Sequence, residues 1–433
     1  MLEAKTKVKR YDTYKYSGVE WLGEIPSHWE VKRFKHIFKE KKITHDVKLN
    51  CGSISFGKVV FKDDEKVPVS TKKSYQVLNK GEFLINPLNL NYDLKSLRIG
   101  LSDKDVVVSS GYIIVQNVAE LSKVYYKWLL HIFDIAFMKT LGSGVRQTLS
   151  FAHVANSELV FPPLSEQTKI AQFLDDKTSK IDVAVTIKEQ QINLLKERKQ
   201  ILIHKAVTQG LNSNVTLKDS GVEWIGKIPK HWEVVPLRHI GKTQNGLSKG
   251  GEYFGSGFPF LTYGDVYKNR TVPNTLSGLA EASIADRQQF SIKEGDIFFT
   301  RTSETVEDIA FTSTCLNNLE NGTFAGFLIR FRPEKNILYK GFSRYYFSSS
   351  THRSFFVGQM NLVIRASLSQ DHLKRMPVLI PPLSEQKRIS TYIETGSQKI
   401  EIAISLKQQE IEKLKEYKST LINSVVTGKV KVF

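Results

Sequence analysis

At 433 residues, 41% of them hydrophobic, the chain has room for two or three domains with buried cores, which argues against wholesale disorder. No run approaches the apolar length of a bilayer span. The charged start, MLEAKTKVKR, lacks the apolar stretch of a secretory signal, so a cytoplasmic protein is expected. Lys and Arg number 62 against 44 Asp and Glu, and the formal net charge of +18 suits a polyanionic partner. A membrane surface would want a basic amphipathic anchor or a lipidation signal, and neither is seen.

In chain order, the first distinctive stretch is SGVEWLGEIPSHWEV at 17–31. A variable segment follows over about 32–160, then PPLSEQTKIAQFL from Pro162 and a long charged helical pattern. The same four parts then recur: SGVEWIGKIPKHWEV at 220–234, a second variable segment over about 235–379, PPLSEQKRISTYI from Pro381, and a second helix. Two matched pairs in the same order establish an internal duplication.

After each PPLSEQ, Ser165 or Ser384 reads as an N-cap, and the following Glu and Gln favour the helix dipole. Steps of four and three residues from Ile181 reach Val185, Lys188, Ile192, Leu195, Lys199, Leu202 and Ala206. From Ile400 they reach Ile404, Lys407, Ile411, Leu414, Lys418, Leu421 and Val425. Both are heptad seams with lysines at the same two places, which predicts that the helices pack together as a coiled coil. A pseudo-twofold axis between like halves makes them antiparallel. A helix of about 25 residues is roughly 38 Å long, close to one turn of B-DNA.

The variable segments carry short apolar runs between Gly, Asn and Ser turns, as in VVVSSGYIIVQ and FAGFLIRFRP. The fold class expected is α+β: two globular α/β domains joined by two long helices packed as an antiparallel coiled coil. The boundaries are 1–161 and 212–380 for the globules, 162–211 and 381–433 for the helical spacers. A skeleton persists between the halves. GEFLI from Gly81 parallels GDIFF from Gly295, and Arg146 before TLS matches Arg365 before ASLS.

Base readout needs Arg, Asn, Gln or Lys side chains presented to a groove. In the first globule Asn86, Asn89, Asn91, Tyr92, Lys95 and Arg98 cluster after a strand-like run. In the second, Arg301, Thr302, Ser303 and Glu304 follow GDIFF, with Asn269 and Arg270 upstream and Gln244 and Asn245 in another loop. Arg146 and Arg365, shared by both halves, suit phosphate contact or a structural role better than specificity.

Chemistry is harder to place. An adenine N6-methylase carries [Asn/Asp/Ser]-Pro-Pro-aromatic. Here the Pro-Pro pairs follow Phe161 and Ile380 and precede Leu, and Asn86-Pro87-Leu88 lacks the second proline. YFGSG at 253–257 is a lone glycine pattern and reads as a turn or a DNA-facing edge. Asp64-Glu65-Lys66 lacks a second acidic ligand in context and reads as a solvated loop. There is no GxxxxGK[ST] phosphate loop. His28 and His231, each beside a Trp, read as packing at the base of each globule. Cys51 and Cys315, far apart and without a CxxC, read as reduced thiols, so no disulfide framework or zinc site is expected.

This arrangement resembles the specificity subunits of Type I restriction–modification enzymes, the HsdS family, over nearly the whole chain. The SGVEWxGxIPxHWEV and PPLSEQ-plus-helix elements carry the likeness in combination. The resemblance implies a non-catalytic subunit of a bacterial phage-defence system, with two target recognition domains that each read half of a split double-stranded DNA site. It implies helices that act as a ruler for the gap and dock two modification (methyltransferase) subunits, which use S-adenosylmethionine to methylate adenine. Two restriction (motor-nuclease) subunits, using ATP and Mg, complete the complex; this chain itself is expected to hold no cofactor or metal. Two alternatives stay open from the residues alone. A scaffold or RNA-binding protein would bind DNA without sequence preference, and a self-contained methylase would bind S-adenosylmethionine by itself.

Overall fold

A computed structural model of the chain describes residues 9–88, 97–138, 149–303, 309–349, 355–356 and 366–433. It divides into two compact units, 1–188 with 409–433, and 189–408. Each unit takes one part of each long helix, whereas the sequence boundaries at 161/162 and 380/381 set the helices apart.

The first unit is built on a four-stranded antiparallel sheet in the order Phe38–Glu40, Ile113–Asn117, Phe83–Ile85, Ile99–Leu101. The second has the same order with Gly241–Asn245, Leu328–Pro333, Ile297–Thr300 and Thr312–Thr314. GEFLI and GDIFF therefore supply the same inner strand of the two sheets. Both strands read as unbroken apolar runs because both of their faces are covered. Phe83 and Ile85 enter one core and Leu84 another; Ile297 and Phe299 enter one and Phe298 another.

The acid of each motif is also buried and paired. Glu82 accepts from Lys41 at 2.8 Å and Gln116 at 2.7 Å, and Asp296 forms a two-pronged pair with Arg332 at 2.6 Å. Two further antiparallel pairs repeat: Tyr14–Tyr16 with Glu24–Pro26, matched by Leu217–Asp219 with Lys227–Pro229. Glu30–Arg33 with Glu158–Phe161 is matched by Glu233–Pro236 with Pro377–Ile380.

The central helix spans Leu164–Gln209 and the C-terminal helix Leu383–Val426, 46 and 44 residues. Both are nearly twice the expected 25-residue rod. The extra turns precede the seam and pack on each unit's own core, through Ile170, Ala171 and Leu174 in the first and Ile389 and Ile393 in the second. Each helix starts one residue ahead of its serine, so Ser165 and Ser384 lie inside the first turn and the N-cap reading is corrected.

Along the seam, burial follows the four–three walk. Ile181, Ile192, Ile400 and Ile411 are buried; Val185, Leu195, Leu202, Ile404, Leu414 and Leu421 are half-buried. In the first unit Asp182 pairs with Lys418 at 2.6 Å and Lys188 with Glu410 at 2.5 Å; in the second Lys199 pairs with Glu401 at 2.5 Å. In the first unit the partner's number falls as the other rises, so the helix segments run antiparallel. The second unit agrees, since Leu202 lies against Gly396. Such half-exposed pairs add little stability and mainly set register. No helix among the described residues is long and apolar enough to cross a membrane.

Cys51 and Cys315 are both buried and unbridged. Burial pushes the Cys315 thiol up to about 12, and burial also raises that of Cys51. A disulfide reagent at pH 8 should therefore leave both thiols unmodified in the folded protein and react with both after denaturation. Fast reaction of either in the native chain would contradict this burial.

Candidate nucleic-acid interface

Each unit is closed by a carboxylate latch. Glu166 of the first PPLSEQ accepts from the Trp29 indole at 2.9 Å and the Tyr11 hydroxyl at 3.1 Å, and pairs with His28 at 2.7 Å. Glu385 of the second accepts from Trp232 at 3.1 Å and pairs with His231 at 2.8 Å. Burial and Glu166 hold the Tyr11 hydroxyl protonated, its pKa raised far above 10. The adjacent glutamines, both fully buried, do matching work. Gln167 bonds the Pro162 carbonyl and the Ser122 amide, and Gln386 the Pro381 carbonyl and the Tyr339 amide.

The far ends of the long helices seat on the same tryptophans. Gly428 and Gly210 both have φ of +76°, the left-handed stop of a helix. A Cβ on Gly428 would lie 2.4 Å from Pro26 and 2.9 Å from Trp29; on Gly210, 2.9 Å from Glu385 and 3.3 Å from Trp232. These residues are framework, as expected for His28 and His231. The repeated Glu was visible in the sequence, but nothing there joined it to the repeated Trp.

In the second unit, Asn245, Arg301 and Thr302 lie at one end of the four-stranded sheet. Asn245 stands in register with Ile329, Phe299 and Thr312, and Arg301 and Thr302 extend the inner strand past that row. A short helix, Tyr263–Lys268, leans on this end. Its first turn is set by the Thr262–Asp265 capping box, and Tyr263 donates to the Thr302 carbonyl at 2.9 Å. Tyr267 stacks on Tyr263 and meets Phe311 at 4.8 Å between ring centres. Asn269 and Arg270, both exposed, follow the helix, and Thr314 bonds the Arg270 carbonyl. Together with Tyr267, Lys268, Phe311 and Ser348 they line an open cavity of about 210 Å³. The aromatic wall was not read from the sequence, although Tyr263 and Tyr267 lie four apart on a helical pattern.

Other predicted residues are committed internally. Gln244 accepts from Arg330, which is itself buried; burial and then Arg332 lower the Arg330 guanidinium to about 10. Asn245 is half-buried, and its Oδ1 has no partner among the described residues. Ser303 pairs through its backbone with Ala366.

In the first unit, Asn86 turns its Oδ1 to the Leu88 amide at 3.0 Å and so shapes the turn. Arg98 is 4% exposed; its Nε meets the fully buried Asp134 at 2.9 Å, and both Nη groups are buried with no partner among the described residues. The side chain thus turns to Asp134, at the C-terminal end of the helix Lys123–Phe133, and away from solvent. Asn89, Asn91, Tyr92, Lys95, Arg146, Glu304 and Arg365 lie outside the described residues. Among the described residues no group of three or more His, Cys, Asp or Glu side chains could hold a metal ion.

Comparison with known proteins places this frame. The chain is 24% identical over 445 residues to a Methanocaldococcus jannaschii protein named as the type I restriction enzyme MjaX specificity subunit, covering 95% of this chain and 96% of that one. It is 30% identical over 244 residues to the type I restriction enzyme EcoKI specificity subunit of Escherichia coli, covering 54% and 49%. Its fold is similar to a chain solved in work on assembly and conformational transition of the type I R-M system, with TM-score 0.67, 15% identity and 93% and 98% coverage. The HsdS subunit from Thermoanaerobacter tengcongensis gives 0.57, 16%, 94% and 98%. The model of the Type I restriction modification DNA specificity domain matches residues 26–196 and 229–416, one match for each repeat. Since these matches take in most of the sequence, the chain belongs to the family defined by that DNA specificity domain.

Proposed function

We propose that this chain is the sequence-reading subunit of a type I restriction–modification complex and binds an asymmetric, two-part site in double-stranded DNA. The observation that carries the reading is the repeated frame. One sheet order and one latch occur in both units, while the surfaces built on them differ. A contact that is the same in both units cannot specify two different half-sites; one that differs can. The net charge of +18 supports a polyanionic partner.

In this reading the subunit is cytoplasmic and non-catalytic, and the long helices set the unspecified gap. Two modification subunits bring S-adenosylmethionine and two restriction subunits bring ATP and Mg. Asn269, Arg270, Arg301 and Thr302 are the described residues of the second unit best placed to face DNA.

The test is methylation mapping by single-molecule sequencing in a host carrying this chain and its neighbouring methylase. A two-part methyladenine motif that vanishes when the chain is deleted is the expected result. Exchange of residues 32–160 for those of a relative should change one half of the motif and leave the other. Absence of any motif, with the methylase assembled and active, would sink the reading in favour of a scaffold.

A further inference from the structure

The hairpin of the first unit, Gly52–Ser55 with Lys58–Phe61, turns on Phe56 and Gly57. Both have positive φ, +46° and +74°. That combination belongs to a two-residue type I′ turn, where Asn-Gly is the usual pair. Phenylalanine is a poor choice for the first of these positions, because its Cβ crowds the following carbonyl in the left-handed region. Its ring is also 72% exposed, so it contributes little to either core of the unit. Folding alone explains neither feature.

The tip is nevertheless held firmly. A Cβ on Gly57 would lie 3.1 Å from Leu97, and one on Gly100 would lie 2.8 Å from the Gly57 carbonyl. Backbone thus meets backbone, and the hairpin sits on the segment that follows the polar stretch 86–95. Lysines lie along the hairpin, Lys58 beside the tip and the others further down. Lys58 and Lys62 are exposed, and Lys104 bonds the Val59 carbonyl while lying 4.9 Å from the Phe61 ring centre. Nearby Asp63 and Asp64 are paired with Lys66 and Lys72, and Asp103 with Lys104 itself.

An exposed, preorganised aromatic ring on a hairpin that also presents the exposed Lys58 and Lys62 fits a nucleic-acid base freed from its stack. The ring face covers the base, and the lysines meet the flanking phosphates. We infer that Phe56 is a wedge that stacks on a base of the half-site read by the first unit, an inference that rests on the DNA-reading function proposed above.

The test uses the full chain assembled with its modification partner and a fluorescent duplex carrying the mapped motif. Phe56→Ala and Phe56→Asn should weaken binding by roughly tenfold or more, and Phe56→Tyr should stay close to wild type. Phe56→Asn suits the turn, so its melting temperature should equal or exceed that of wild type. A 2-aminopurine in that half-site should brighten with wild type and stay dim with Phe56→Asn. Binding by Phe56→Asn within about twofold of wild type would overturn the wedge alone, while the wild-type complex still discriminates the motif. Loss of assembly with the modification partner, at unchanged DNA affinity per assembled complex, would also overturn it by assigning the ring to a protein contact. A wild-type complex with no preference for the motif would overturn the DNA reading and the wedge together.

Discussion

Replacing Trp232 with alanine should lower the stability of the second unit by about 3–5 kcal/mol, the range for deleting a fully buried aromatic. The indole is completely buried, its Nε1 is bonded to Glu385, and the Gly210 turn lies against its ring. Removal opens a cavity and takes a donor from a carboxylate that is only 13% exposed. With domains stable by about 5–15 kcal/mol, such a loss is a large fraction of the whole. Hydrogen exchange followed by mass spectrometry separates the two units. Protection should fall across 212–380, and Trp29→Ala should produce the same loss in the first unit. Glu385→Gln keeps an acceptor oxygen and should cost only about 1 kcal/mol. If Trp232→Ala melts with the wild-type protein, the latch does not hold the unit together.

Arg98→Ala should destabilise the first unit by about 3–5 kcal/mol, because it leaves the fully buried Asp134 carboxylate without its cation. Replacing both residues, as Arg98→Met with Asp134→Leu, should restore part of that loss, since an apolar pair avoids the desolvation of two charges. Chemical denaturation of the three variants gives the coupling directly. A stable Arg98→Ala protein with weakened DNA binding would instead return Arg98 to the interface.

These expectations show where the sequence was informative. The heptad walk from Ile181 and Ile400 was legible because a helix repeats its buried face every three or four residues, and burial follows that walk. GEFLI and GDIFF could be matched because the same inner strand needs the same apolar run in both sheets. Helix length was underestimated, because the turns before the seam are held by Leu174 and Ile393 packing on cores that no local pattern reveals.

Polar residues were the harder case. Asn86, Arg98, Gln244, Asn269 and Arg301 are all plausible readers of bases by type. Only the folded chain distinguishes Arg98, covered by Asp134, from Asn269 and Arg270, exposed beside Tyr267. Phe56 is a related case. By type a phenylalanine suits a core, and only its φ and exposure in the folded chain set it apart.

By itself the sequence determined the duplication, the two long helices with their seams, and the family likeness, because each is written in short-range spacing repeated along the chain. The tertiary structure decided which charged and aromatic side chains are spent inside each unit and which face solvent. That outcome depends on partners far away in the chain: 137 residues separate Trp29 from Glu166, and 36 separate Arg98 from Asp134. Whether a polar group keeps its water is settled only when such distant segments pack together.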